Sequence, residues 1–233
     1  MPSLKNLKSE LKKLADKKQA AILTGFFKTG KGQYGEGDIF LGIKVPAQRK
    51  VARQYENLSL ADAQKLLHSK IHEQRLIALL ILLSRYKKAD DRGKKKIVDF
   101  YLKNTKNINN WDLVDLSCHY ILGDYLLDKP RRILYKLARS KNLWEKRIAI
   151  ISTFAFLRNK QFNDTLKISE ILLNDRHDLI HKASGWMLRE AGKRDQAVLE
   201  KFLDKHYKIM PRVMLRYAIE KLSEGKRKFY LDK

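Results

Sequence analysis

Apolar residues recur three and four positions apart from the start of the chain, at Leu4, Leu7, Leu11 and Leu14, and this spacing continues almost to the end. No segment alternates apolar and polar residues with β-branched enrichment, so the pattern predicts an all-α protein. Pro46 reads as the first residue of a second helix, and Ser59 with Asp62 as the cap of a third. Asp90 to Gly93, Lys129-Pro130 and Met210-Pro211 read as breaks between later helices. About ten or eleven helices are expected.

The pattern also repeats. Helices are predicted to begin at Glu73-Gln74-Arg75-Leu76, Trp111-Asp112-Leu113-Val114-Asp115, Trp144-Glu145-Lys146-Arg147-Ile148, Ile180-His181-Lys182-Ala183 and Met210-Pro211-Arg212-Val213, each continuing as an apolar helix. Alignment puts Arg75, Asp115, Arg147, Lys182 and Arg212 in one column, 40, 32, 35 and 30 residues apart. That irregular helix-pair period predicts a HEAT-like helical repeat solenoid, curved, forming a single domain over residues 1–233. The same helix of each pair then lines the concave face, so the column predicts a basic groove containing a single carboxylate, Asp115.

Composition turns this architecture toward a partner. Fifty Lys and Arg against 26 Asp and Glu leave a formal +24 on 233 residues, with 44% apolar content, enough for a core. An excess of that size finds its plainest use in neutralising the phosphates of a nucleic acid. The basic residues run through the whole chain, including Lys94-Lys95-Lys96, Arg131-Arg132 and Lys226-Arg227-Lys228, rather than forming a tail for an anionic membrane. The longest apolar run, Leu76 to Leu83, falls short of the roughly 18 residues of a membrane-spanning helix. Lysines interrupt the leucines of the amino terminus, so no signal peptide is expected there and the chain reads as intracellular and cytoplasmic. The lone Cys118 excludes a disulfide framework and a multi-cysteine zinc site.

Several motifs suggest chemistry that their context denies. Gly25-Phe26-Phe27-Lys28-Thr29-Gly30-Lys31-Gly32 matches a P-loop until its last position, where Gly stands in place of the Ser or Thr that holds magnesium. Gly30, Gly32 and Gly35 spell a dinucleotide fingerprint without the preceding strand and following helix. With six of the eleven glycines between Gly25 and Gly42, this is a mobile or tightly turned loop whose Lys28, Lys31 and Tyr34 are candidates to touch a phosphate backbone. His68 with His72, and His177 with His181, have metal-compatible spacing but no evident third ligand, and read as surface placement. Cys118 is expected in the core, and Trp144 as packing.

Trp111 and Asp115 are four apart on one helical face, and Trp186 lies four residues past Lys182 in the aligned column. Spacing alone leaves two readings of them: indoles, carboxylate and the Arg147 guanidinium converging on the concave surface, or core tryptophans with an Asp serving as helix-dipole or salt-bridge partner.

These stretches carry a resemblance. Asn110-Trp111-Asp112-Leu113-Val114-Asp115 with Leu122-Gly123-Asp124, Trp144-Glu145-Lys146-Arg147, and Lys182-Ala183-Ser184-Gly185-Trp186-Met187-Leu188-Arg189-Glu190 are similar to the hallmark segments of the AlkD family of DNA alkylation-repair glycosylases. Phe40-Leu41-Gly42-Ile43 before Val45-Pro46 resembles that family's approach to its second helix, and the match runs from about residue 20 to 220.

The resemblance implies an enzyme of base excision repair that grips duplex DNA in its concave groove, and an elongated groove binding one duplex needs only a monomer. It would excise positively charged N3- or N7-alkylated purines, such as 3-methyladenine and 7-methylguanine, without metal or cofactor. It further implies Asp115 as the catalytic carboxylate, Trp111 and Trp186 as aromatic walls beside the lesion's deoxyribose, and Arg147 and Arg189 as phosphate ligands. Lys182, Lys28, Lys31, Tyr34 and Arg49 complete the expected DNA-contacting set. Gly25, Phe26 and Phe27 stand where family members can carry an Arg and a Tyr, and the Gly30 to Asp38 loop is longer than in the shorter members. The rival reading is a non-catalytic helical-repeat protein that binds structured DNA or RNA.

Overall fold

The protein, described over residues 3–232 by a computed structural model, is built from helices that follow the apolar spacing. In chain order they are α1 (Leu4–Lys13), α2 (Lys17–Phe26), α3 (Val45–Gln54), α4 (Leu60–Leu67), α5 (His72–Lys88), α6 (Asp91–Lys103) and α7 (Trp111–Asp115). They continue as α8 (Arg132–Ala138), α9 (Leu143–Ser152), α10 (Phe154–Arg158), α11 (Asn163–Ile171), α12 (Asp178–Gly192), α13 (Gln196–His206), α14 (Arg212–Ala218) and α15 (Glu224–Leu231). Among the described residues the only β pairing is an isolated parallel bridge between Ile39 and Ile71. No helix among them is long and apolar enough to cross a membrane. The fold is an all-α helical repeat, and it separates into two compact units, one ending at Leu113 and the other starting at Val114.

There are more helical segments than the spacing predicts, because side chains interrupt runs that are periodic in sequence. The first helix divides at Asp16, whose carboxylate accepts from the amides of Lys18 and Gln19 and so starts α2. The Asp16 amide meanwhile donates to the Leu41 carbonyl at 2.9 Å. Ser59 accepts from the Asp62 amide and starts α4, and Asp90 does the same for α6 through Gly93.

In the amino-terminal unit α5 is the central element. Its residues Leu76 to Leu82 are all buried, as expected of a helix apolar on every side, and α3 and α4 pack against it. Each fully buried Leu or Ile contributes roughly 1.5–3 kcal/mol.

In the carboxy-terminal unit α12 plays that part, contacting α9, α13 and α14. Its Gly185 sits where a Cβ would lie 2.5 Å from the Met214 carbonyl and 2.6 Å from the Tyr217 Cβ. Gly185→Ala is therefore expected to push α12 and α14 apart and cost about 1–3 kcal/mol, read as a lower urea midpoint at constant slope.

The helix that starts at Trp111 does not continue as the sequence pattern predicts. After Asp115 the chain passes through a turn into a π-helical turn, His119–Gly123. Gly123 explains the close packing there, since a Cβ would stand 2.3 Å from the Ser152 carbonyl.

Candidate functional site

Asp115 ends α7, and Arg147 lies in the second turn of α9. The guanidinium grips the carboxylate at two points, Nε to Oδ1 at 2.9 Å and Nη2 to Oδ2 at 2.7 Å, while Nη1 donates to the Leu179 carbonyl at 2.6 Å. Arg147 has a side-chain exposure of 7% and Asp115 one of 16%, so the pair is largely dry with the carboxylate on its wetter side. Such a fork fixes the plane of the carboxylate as well as its charge. Each of the three guanidinium nitrogens of Arg147 thereby has a partner inside the protein, on Asp115 or on the backbone. Arg75, also expected in an open basic row, is 3% exposed and held by Asp38 at 2.6 Å and the Ser69 carbonyl at 2.9 Å.

Trp186 is half-buried on α12 and meets the Phe154 ring at 6.0 Å. The guanidiniums of Arg158 and Arg194 lie 4.4 and 5.4 Å from the centre of that same ring. Arg189 pairs with Glu220, and Lys182 with Asp178 at 2.6 Å, both partners being exposed acids. Cys118 is fully buried, and burial followed by the Asp115 charge pushes its thiol well above the usual cysteine value. It is a core residue, as is Trp144 at 7% exposure. His119 is buried too, and burial followed by the Arg158 charge lowers it to about 4.

In the amino-terminal unit Trp111 is half-buried at the start of α7. Its indole stacks on Phe27 at 5.2 Å and 20°, meets Phe26 edge-on at 5.8 Å, and donates from Nε1 to the Tyr34 hydroxyl at 3.3 Å. Tyr34 is thus brought to Trp111, whereas Lys28, Lys31 and Arg49 are exposed. The glycine-rich loop is tightly turned: Glu36 accepts from the Gly32 amide, Gln33 from the Gly30 amide, and the Gly35 amide donates to the Lys28 carbonyl.

The histidines expected at the surface are not there to be ligands. His72 is 2% exposed, with Nδ1 3.1 Å from Asp38 and Nε2 2.8 Å from Asp112. His181 Nε2 bonds the Asp175 carbonyl, and His177 caps α12 through the Leu179 amide. Their i, i+4 spacing reflects capping and packing, and no group of three or more acids, His or Cys among the described residues is placed to hold a metal ion. Sequence reasoning missed His72, Asp38 and the Phe26–Phe27 pair, whose only local signal was the Asp112 inside the Trp111 to Asp115 motif.

The next helix residue, Glu73, is fully buried and accepts from the amides of Leu41, Gly42 and Ile43 at 2.8–3.2 Å. Gly42 has φ +83° and a Cβ there would lie 2.1 Å from the Asp16 carbonyl, so the Phe40 to Ile43 segment needs both a glycine and this carboxylate.

Comparison with known proteins bears on the fold and on the family. A solved structure described as a predicted DNA alkylation repair enzyme from Enterococcus faecalis has the same fold, with a TM-score of 0.70 and 16% identity, over 90% of this chain and 97% of that one. No curated protein matches. The family model described as DNA alkylation repair enzyme matches residues 7–222, which includes every residue of the site described above. The chain belongs to the DNA alkylation repair enzyme family.

Proposed function

We propose that the protein is a DNA glycosylase that removes cationic N3- and N7-alkylated purines from duplex DNA, with Asp115 as its catalytic carboxylate. The observation that carries this reading is the half-buried Asp115 carboxylate, fixed in one plane by the two-point contact with Arg147. An alkylated purine that already bears positive charge leaves with the electrons of the N-glycosidic bond and becomes neutral, needing no acid. The difficulty passes to the sugar, where positive charge develops at C1′ as the bond breaks. A fixed carboxylate in a low-dielectric setting stabilises that charge and orients a water, which adds to C1′ and gives its proton to the carboxylate, leaving an abasic site. Trp111, one turn ahead on α7, and Trp186 on α12 supply indole faces, each adding about 0.5–2 kcal/mol of cation–π attraction. Arg147 acts here by positioning Asp115. Lys182, Arg189, Lys28, Lys31, Tyr34 and Arg49 supply the duplex contacts, for which a monomer suffices.

The full engagement of Asp115 by Arg147 also fits a second reading, in which the pair is a structural bridge in a protein that only binds structured DNA or RNA. The assay that separates the two is release of 7-methylguanine and 3-methyladenine from methylated duplex DNA, with free base and abasic sites counted together. Release by the protein, with equal counts of the two products, is expected. Tight, salt-sensitive duplex binding without release would replace the glycosylase by the binding module.

A further inference from the structure

We propose that His72, held as an imidazolium between Asp38 and Asp112, is a positioning residue that sets the start of α7 and with it Trp111. The inference rests on the glycosylase reading and adds to it a residue outside the reacting groups.

The geometry carries it. A neutral histidine has one N–H donor and one acceptor nitrogen, whereas both His72 nitrogens here face carboxylate oxygens, at 3.1 and 2.8 Å. Between two ionised carboxylates, only the doubly protonated ring satisfies both. The ring is 2% exposed and packed against Phe40 and Phe27 at centroid distances of 4.6 and 5.0 Å, so water does not substitute for either partner.

Both ends of the clamp reach the start of α7. Asp112 accepts from His72 with one oxygen and from the Leu113 amide with the other, at 2.8 Å. Asn110 donates to Asp38 at 3.4 Å and accepts from the Trp111 amide at 2.8 Å. Alpha7 has five residues, too few to hold itself by its own ladder, so these side chains set its direction. Trp111, one residue before Asp112, follows that direction onto Phe27.

The charged groups facing His72 are Asp38 from the loop, Asp112 from α7 and Arg75 from its own helix, with Nη2 at 3.4 Å from Nδ1. Burial disfavours the charged ring, but the hydrogen bonds to Asp112 and Asp38 outweigh it and the Arg75 repulsion, raising His72 above its usual 6.5. For Asp38, burial is likewise outweighed, by the bond to His72 and the Arg75 charge, and its carboxyl lies below the usual value. A histidine raised in the folded state contributes fully below its unfolded value, and the contribution is lost as pH rises through the folded one.

The test compares single-turnover base release by the parent, His72→Gln and Asp112→Asn across pH, with duplex binding and thermal melting measured on the same proteins. Nitrogen-15 NMR of the histidine rings reads the His72 charge directly. The expected results are a parent release rate that falls with rising pH at the midpoint of the His72 ring titration, and loss of that limb in His72→Gln. His72→Gln is also expected to release base about tenfold to hundredfold more slowly with duplex binding unchanged, and Asp112→Asn to move the limb to lower pH. A ring with one protonated nitrogen below pH 6.5, or a folded His72→Gln with the parent's rate and pH profile, overturns the inference while the glycosylase reading stands. A parent that releases no base overturns that reading instead, and the inference with it.

Discussion

Asp115→Asn is expected to slow base release by about 10²-fold to 10³-fold while duplex binding stays equal or tightens slightly. The substitution keeps size and removes the negative charge that meets the developing positive charge on the sugar. It also takes one negative charge from a protein that grips a polyanion, hence the direction of the binding change. Stability separates this loss from simple disruption. Asp115→Ala leaves the Arg147 guanidinium, with 7% side-chain exposure, without its carboxylate, and breaking a buried pair in this way costs about 3–5 kcal/mol. Asp115→Asn retains an oxygen to accept from Arg147 and is expected to melt closer to the parent. If Asp115→Asn releases base at the parent rate, Asp115 is not the catalytic group.

Glu73→Ala is expected to be among the most destabilising single changes in the chain, costing about 3–5 kcal/mol out of a typical 5–15. Glu73 is fully buried, and its carboxylate accepts from the amides of Leu41, Gly42 and Ile43. Removing the carboxylate leaves those donors unsatisfied away from water, each at a cost of about 1–3 kcal/mol. The segment it holds packs against α2 through Gly42 and precedes α3, so its release also loosens the backbone that carries Phe40 beside His72. Urea unfolding reads the loss directly. A midpoint within the error of the parent would show that the amides find other acceptors.

Much of this was visible in the chain itself. Trp111 and Asp115 could be placed on one helical turn from their spacing, and Arg147 in the matching turn of the next repeat, because such offsets are properties of the helix alone. The Asp115–Arg147 contact was not visible as a contact, since the residues lie 32 apart and an arginine in a basic protein serves a phosphate as well as a carboxylate. The same limit explains His72. Its partners are 34 and 40 residues away, and nothing local distinguishes it from His68, which stays exposed just past the end of α4.

Helix content, the cap at Ser59, the break at Asp90 to Gly93, the glycine-rich turn and the family motifs were determined by the sequence alone, because each depends on interactions within a few residues. Which cations are spent on carboxylates inside the protein and which remain for a partner was decided only by the tertiary structure. Arg75 and Arg147 look like Lys28 and Arg49 in composition, yet the first two are buried in ion pairs and the last two are exposed. Burial of a charge requires a partner brought from far along the chain, and only the packing of helices selects that partner.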